Sequence, residues 1–279
     1  MAIEIPRIPL GDWIETGLSW LTTEYSAVTR GISRITQTGI DGLNDALMWL
    51  PDWALLVIIA GLCWKMASPR LAIGAVLGLG LIWNLDLWDP MIETLTLVVI
   101  ATLVAVVIAL PVGIAAALSD RLYRLIMPVL DFMQTMPAFV YLIPAIPFFG
   151  IGSVSAIFAT VIFSMPPAIR FTTLGIRQVP VELIEAADAY GATRGQKLVK
   201  VQLPLSLPTV MAGINQTIML ALSMVVIAAM IGADGLGSEV WRAIQRLRPG
   251  DGFEAGIAVV ILAMLLDRLT QSLRKERKQ

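Results

Sequence analysis

Apolar residues along this chain follow two different rhythms. From Asp12 to about Leu50 they keep a helical period, with Ile14, Leu18, Leu21, Tyr25, Val28, Ile32 and Ile35 at alternating steps of four and three. That spacing gathers them on one stripe of a helix and leaves the polar residues to the other faces. Asp12 with Glu15 three residues on predicts a helix start of the capping-box kind. The stripe slips near Gly39 and resumes through Leu43, Leu47 and Leu50, so a break is expected there. A helix of this kind lies on a membrane surface or packs against its own protein, and the spacing alone leaves both open.

Beyond Leu50 the period gives way to long apolar runs. Seven stand out: Trp53–Met66, Leu71–Leu87, Ile92–Leu118, Ile126–Phe149, Val154–Ile169, Thr209–Ile231 and Ala255–Leu269. A membrane-crossing helix needs ~20 mostly apolar residues, so the first and fifth need flanking residues to reach that length. The third carries Pro111 and Gly113 near its end, where a kink or tilt is expected. Composition agrees with lipid as part of the solvent. Residues are 57% hydrophobic and 15% charged, with mean hydropathy +0.79, against ~25% charged in a soluble domain. The expected fold is therefore all-α, a polytopic membrane helix bundle of about seven spans plus an N-terminal amphipathic helix. Residues 1–50 form the amphipathic region and 51–279 the membrane domain.

Charge distribution supplies an orientation. With the polar stretch Glu185–Pro204 on the cytoplasmic side, fourteen of the 20 Lys and Arg fall inside and six, including Arg30, Arg34 and Arg248, fall outside. The positive-inside bias favours this arrangement, which puts residues 1–50 outside and the closing RKERKQ inside. The start, MAIEIPRIPLGDW, lacks the basic patch and apolar core of a secretory signal peptide. Trp83, Trp88 and Trp241 are expected at the outer interface, where tryptophan accumulates.

Several function classes drop out. The chain has no histidine and one cysteine, Cys63, inside an apolar run, which removes the commonest general base and zinc ligand and any internal disulfide. GxSxG, HExxH, CxxC and the phosphate-cradling GxxxxGK[ST] are all missing, so catalysis and ATP binding by this chain are not expected, nor is a resident metal. A net charge of −1 gives no electrostatic footprint for nucleic acid.

Prolines and polar residues interrupt the spans. The fourth carries Pro137, Pro144 and Pro147 together with Asp131, Gln134 and Thr135. The fifth carries Pro166–Pro167, and the sixth Asn215, Gln216, Thr217 and Ser223. Such residues line a water-filled path or hydrogen-bond helix to helix. Gly74 and Gly78 form a GxxxG, a weak packing signal.

The break at EAADAYGATRGQKLVKVQLP, Glu185 to Pro204, is of another kind. Glu185–Ala189 favours helix, Gly191 can take the backbone angles of a turn, and Arg194–Leu203 resumes a short amphipathic helix, ended by Pro204 and again by Pro208. A helix–turn–helix hairpin with small side chains at its tip is predicted between two spans. Small side chains let a knob bring its backbone close to a neighbour, and Arg194, Lys197 and Lys200 would select that neighbour by charge.

Glu185-Ala186-Ala187, Gly191 six residues after the acid, and Leu203-Pro204 further on resemble the EAA loop of ABC importer permeases. DAYGATRGQKLVKVQLPLSLPTVMAGINQTIMLALSMVVIAAMIGADGLG, Asp188 to Gly237, resembles the quaternary-amine branch, which imports glycine betaine, proline betaine, choline or carnitine. With the span pattern and the amphipathic start, the likeness covers essentially the whole chain. It implies a type I ABC importer permease whose cytoplasmic coupling loop, 180–206, docks in a groove of a separate ATPase through Glu185, Ala186, Ala187, Gly191, Arg194, Leu203 and Pro204.

The resemblance further implies two ATPase subunits carrying ATP and Mg, a separate solute-binding protein, a permease homodimer and a place in the bacterial cytoplasmic membrane. Transport would run by alternating access, with no cofactor bound by this chain. Candidates for the translocation path are Asp131, Phe139, Tyr141, Asn215 and Gln216, with Phe149 beside them. For each aromatic, ordinary packing is the competing role. Glycine betaine and proline betaine are the expected solutes, with choline or carnitine as the alternative. An ion-coupled secondary transporter would show inverted repeats and mid-membrane charges; a non-transporting assembly subunit would need no hairpin of this kind.

Overall fold

The computed structural model describes residues 9–275. Arg7, Arg277 and Lys278, which enter the charge count, lie outside the described residues, as do the side chains of Arg274 and Lys275. All regular structure within this range is helical.

The amphipathic start forms α1 (Leu10–Glu24) and α2 (Ser26–Met48), so the break falls at Tyr25 and α2 runs through Gly39 uninterrupted. One glycine costs a helix only ~1 kcal/mol. The stripe shifts there for a different reason. Ile40 turns inward and is buried beside Leu97 and Ala101, whereas Ile32 and Ile35 upstream stay exposed. α2 thus comes to rest on the bundle along its second half. The expected capping box is not formed: Pro9 precedes the helix, no side chain caps it, and Asp12 stands in the first turn, where its charge favours the helix dipole.

α3 (Asp52–Met66) leaves α2 at a bend of 98°. α4 (Pro69–Asn84) starts where the Ser68 hydroxyl accepts from Leu71 N at 3.2 Å. α5 (Trp88–Leu118) passes through Pro111 as one uninterrupted helix. The fourth apolar run is not one straight span. α6 (Asp120–Thr135) ends before Pro137, and a 3₁₀ turn (Ala138–Tyr141) and α7 (Leu142–Phe149) continue at 111° to it. Met136, immediately before that proline, is extended, the conformation a following proline imposes. α8 (Ser153–Arg177) is longer than its apolar run and keeps Pro166 and Pro167 inside it.

Next come α9 (Val181–Ala189), α10 (Arg194–Lys197), a π-helical turn (Leu198–Gln202), α11 (Leu203–Ala228) with a 3₁₀ end (Ala229–Ile231), α12 (Leu236–Gln245) and α13 (Pro249–Lys275). All seven apolar runs are thus helical, but the span count is smaller than expected. Among the described residues, Trp88–Leu118, Ser153–Arg177 and Arg194–Ile231 are long and apolar enough to cross a membrane, or five spans in all if each bent pair counts as one. α4, with 16 residues, is apolar but short.

α5, α8 and α11 form the centre, held close by glycines. A Cβ on Gly113 of α5 would stand 2.7 Å from Thr172 Cβ of α8, and one on Gly213 of α11 would stand 2.7 Å from Phe171 Cβ. Thr173 Oγ1 donates to Gly113 O at 3.0 Å. These contacts set the directions: α5 and α8 run the same way, and α11 returns against them. The last turns of α5 and α8 therefore share one end of the bundle with the first turns of α6 and α11. At the other end Gly152 N donates to Ile231 O at 2.9 Å and Leu236 N to Thr94 Oγ1 at 2.8 Å. In the GxxxG, Gly78 packs on α13, where a Cβ would meet Ile261 Cγ2 at 2.6 Å, while Gly74 faces open space. Trp88 is 4% exposed, in the core with Met91 and Ile92, whereas the neighbouring Trp83 is open.

Candidate functional site

The polar segment 180–206 projects from the end shared by α8 and α11. Pro180 opens α9, whose nine residues carry Glu185, Ala186 and Ala187. Gly191 closes it with φ +74°, as Gly191 N donates to Asp188 O at 2.9 Å and Ala192 N to Ala187 O at 3.0 Å. This pair of bonds satisfies the last carbonyls of the helix and depends on a left-handed residue at Gly191, which glycine adopts without a Cβ clash. Two residues later Thr193 starts α10. Its hydroxyl accepts from Gln196 N at 3.3 Å while Gln196 Oε1 accepts from Thr193 N at 2.8 Å. Lys197 Nζ stands 2.6 Å from Asp188 Oδ1 and ties the two arms together.

The hairpin thus has a defined shape and an open tip. Glu185, Ala186, Gly191 and Arg194 are exposed, Ala187 is half-buried, and Tyr190 is 93% exposed at the turn. Leu203 and Pro204 sit elsewhere, where the second arm merges into α11. The expectation that Pro204 and Pro208 end this arm is not met, because both lie inside one continuous rod from Arg194 to Ile231. The π-helical turn just before Pro204 accommodates the missing N–H by widening the helix there. The second arm is therefore a direct extension of the central helix α11.

At the same end Arg177 closes the α8 terminus. Its guanidinium donates to Asp120 Oδ1 at 2.7 Å and to Ala116 O at 3.3 Å and lies 4.2 Å from the Tyr123 ring centroid. This joins α8 to the α5–α6 corner beside the hairpin.

The candidate path residues fall into two groups. Asp131 of α6 pairs with Arg170 of α8, Tyr141 is 5% exposed with its hydroxyl donating to Met133 O, and Phe139 is half-exposed on the same bend. Asn215 of α11 donates to Asp267 of α13 at 2.8 Å, and Gln216 beside it is exposed. No hydrogen bond joins the groups among the described residues; Asp131, Tyr141 and Asn215 each link two helical segments, while Gln216 makes no side-chain hydrogen bond among them. Reading the sequence missed the hairpin's own braces, Asp188–Lys197 and Thr193–Gln196. The second was legible, since Thr-x-x-Gln ahead of an apolar run is a capping-box pattern; the first depends on the turn bringing two arms together.

With this geometry in place, comparison with known proteins is informative. Residues 109–275 match the family described as binding-protein-dependent transport system inner membrane component. The chain is 49% identical over 274 residues to the glycine betaine transport system permease protein OpuAB of Bacillus subtilis (strain 168), covering 98% of this chain and 97% of that one. It is 44% identical over 271 residues to the glycine betaine/proline betaine transport system permease protein ProW of Escherichia coli (strain K12), covering 97% and 77%. Among solved structures, an inward-facing form of the MetNI methionine ABC transporter superposes with TM-score 0.62 at 25% identity, over 66% of this chain and 92% of that one. The matched region holds the α5 end, the Arg177 corner, the hairpin and α11. The chain is a multi-pass membrane protein and belongs to the binding-protein-dependent inner membrane components, the permease subunits of ABC importers.

Proposed function

We propose that the chain carries glycine betaine and related quaternary-amine solutes, proline betaine among them, across the bacterial cytoplasmic membrane. The substrate reading is supported by similarity along nearly the whole length to permeases named for those solutes. Choline, which lacks the carboxylate, or carnitine is the weaker alternative. Two copies of the chain pair with two ATPases and receive solute from a separate binding protein; ATP and Mg belong to the ATPases, and this chain holds no cofactor. Residues 1–50 lie outside, and 180–206 inside.

The observation that carries the coupling role is the exposed, braced hairpin that runs without interruption into α11. Ala186, Ala187 and Gly191 keep its surface low enough to seat in a groove, Glu185 and Arg194 give the contact its polarity, and Leu203 with Pro204 joins it to the central helix. When the ATPases close on ATP, the seated hairpin moves as a rigid body, and the bundle opens toward the binding protein. Asp131, Tyr141 and Asn215 act near the path as links whose rearrangement accompanies opening, with Phe139 and Gln216 exposed beside them.

The test is ATP-driven uptake of labelled glycine betaine into vesicles holding this chain and its ATPase, with the binding protein supplied outside and excess unlabelled choline as competitor. Uptake that requires ATP and resists choline is expected. Choline uptake without betaine uptake would overturn the substrate, and ATP-independent uptake would overturn the transport class.

A further inference from the structure

At the end of the bundle opposite the hairpin, α2 and the α7–α8 corner enclose a polar cavity of about 440 Å³ lined in part by Arg30, Ser33, Arg34, Gln37, Phe149 and Ser153. Its walls come from separate parts of the chain. Arg30 and Arg34 are one helical turn apart on α2, so their side chains share a face. α2 is seated by Ile40, which is buried in the core beside Leu97. The opposite wall is fixed by Gly152 N donating to Ile231 O at 2.9 Å, and by Phe149, whose ring centroid is 4.5 Å from that of Phe158.

The charge of this cavity is concentrated on one face. On the same outward side Arg242 pairs with Glu239 and Arg248 with Asp251, while Arg246 forms no ion pair among the described residues. Arg30 and Arg34 form no ion pair with a carboxylate among the described residues; the one side-chain bond of Arg30 is to Ser26 Oγ at 3.4 Å. Two guanidinium groups one turn apart repel each other, and on the outer side they also run against the positive-inside bias. A carboxylate between them relieves both costs, because guanidinium–carboxylate pairs are the strong, bidentate class of hydrogen bond. The aromatic wall answers the other half of a zwitterion, since a quaternary ammonium has no proton to donate and is held by ring faces.

We propose that Arg30 and Arg34, with Phe149 opposite, form an outward receiving site for a zwitterionic quaternary amine, the arginines taking its carboxylate and the ring its ammonium. The inference rests on the quaternary-amine reading above and adds a basis for discrimination: solutes without a carboxylate leave the arginines unpaired. The site is a way-station between binding protein and bundle, open to solvent and therefore weak.

The test uses the full importer, permease with its ATPase and binding protein, in lipid vesicles. Glycine betaine uptake and ATP hydrolysis are measured together, and hydrolysis is titrated with liganded binding protein. For Arg30→Gln with Arg34→Gln, betaine uptake per ATP hydrolysed is expected to fall about tenfold, as loss of a charge-assisted pair implies, with the half-saturating binding-protein concentration unchanged. Phe149→Leu raises the KM for uptake in the same assay, and Arg30→Lys with Arg34→Lys restores part of the loss. A several-fold rise in the half-saturating binding-protein concentration at unchanged uptake per ATP would overturn the proposal and make the pair a protein-docking patch. Unchanged values of both quantities would also overturn it. Absence of betaine uptake by the wild-type importer would count against the substrate reading instead, before any variant is compared.

Discussion

Gly191 carries the hairpin's geometry. Its φ of +74° costs an ordinary L residue about 1–2 kcal/mol, while a Cβ there would meet nothing within 4 Å. The burden of a substitution is therefore backbone strain inside this chain and bulk only toward a partner. Gly191→Asn, which tolerates the left-handed region, is expected to retain most uptake, and Gly191→Val to lose most of it, at equal membrane expression; parallel uptake and expression measurements check this. Thr193 gives a second prediction. Thr193→Ala removes the acceptor for Gln196 N and costs about 1 kcal/mol, which should appear as roughly fivefold faster hydrogen exchange at the Gln196 amide. Unaltered exchange there would show that the cap does not hold the second arm.

Among the elements, the close approach of α5, α8 and α11 rests on glycines with no spare volume. Gly113→Val places a methyl-bearing carbon 2.7 Å from Thr172 Cβ and 2.9 Å from Ile169 O. Overpacking of this kind costs ~1–3 kcal/mol, so the detergent-solubilised variant should unfold several degrees lower than wild type. Gly74→Val, where nothing lies within 4 Å, should leave the transition temperature in place. Much of this scale was legible in the sequence. The seven apolar runs are all helical, and Glu185–Ala189 followed by a turning Gly191 is what forms. The misreadings have different causes, some local and some from longer-range contacts. Pro204 and Pro208 stop no helix because a widened turn precedes them. Gly39 marks no break because the shift in the stripe comes from Ile40 seating on α5. The bend at Pro137 was missed because three prolines in one run do not say which of them turns the chain.

For the molecule as a whole, one helix links the two ends of the bundle. The hairpin's second arm and α11 are one rod from Arg194 to Ile231, and Ile231 O holds Gly152 beside the cavity that Arg30 and Arg34 line. The candidate site was only half legible at this scale. The hairpin's shape follows from Glu185-Ala186-Ala187 and Gly191, but Asp131 and Asn215 could not be assigned from sequence, since their partners Arg170 and Asp267 lie 39 and 52 residues away.

The measurement closest to the central claim compares ATP hydrolysis with solute uptake for the reconstituted importer carrying Gly191→Trp. The indole adds bulk at the exposed turn, on top of the strain any L residue meets at φ +74°, and leaves the α5–α8–α11 centre untouched. The account predicts normal assembly and continuing hydrolysis, with glycine betaine uptake reduced at least tenfold, so that moles of solute carried per ATP collapse. Wild-type uptake per ATP in that variant would contradict the account, because a hairpin that tolerates a tryptophan at its turn is not the element that transmits the ATPase's motion.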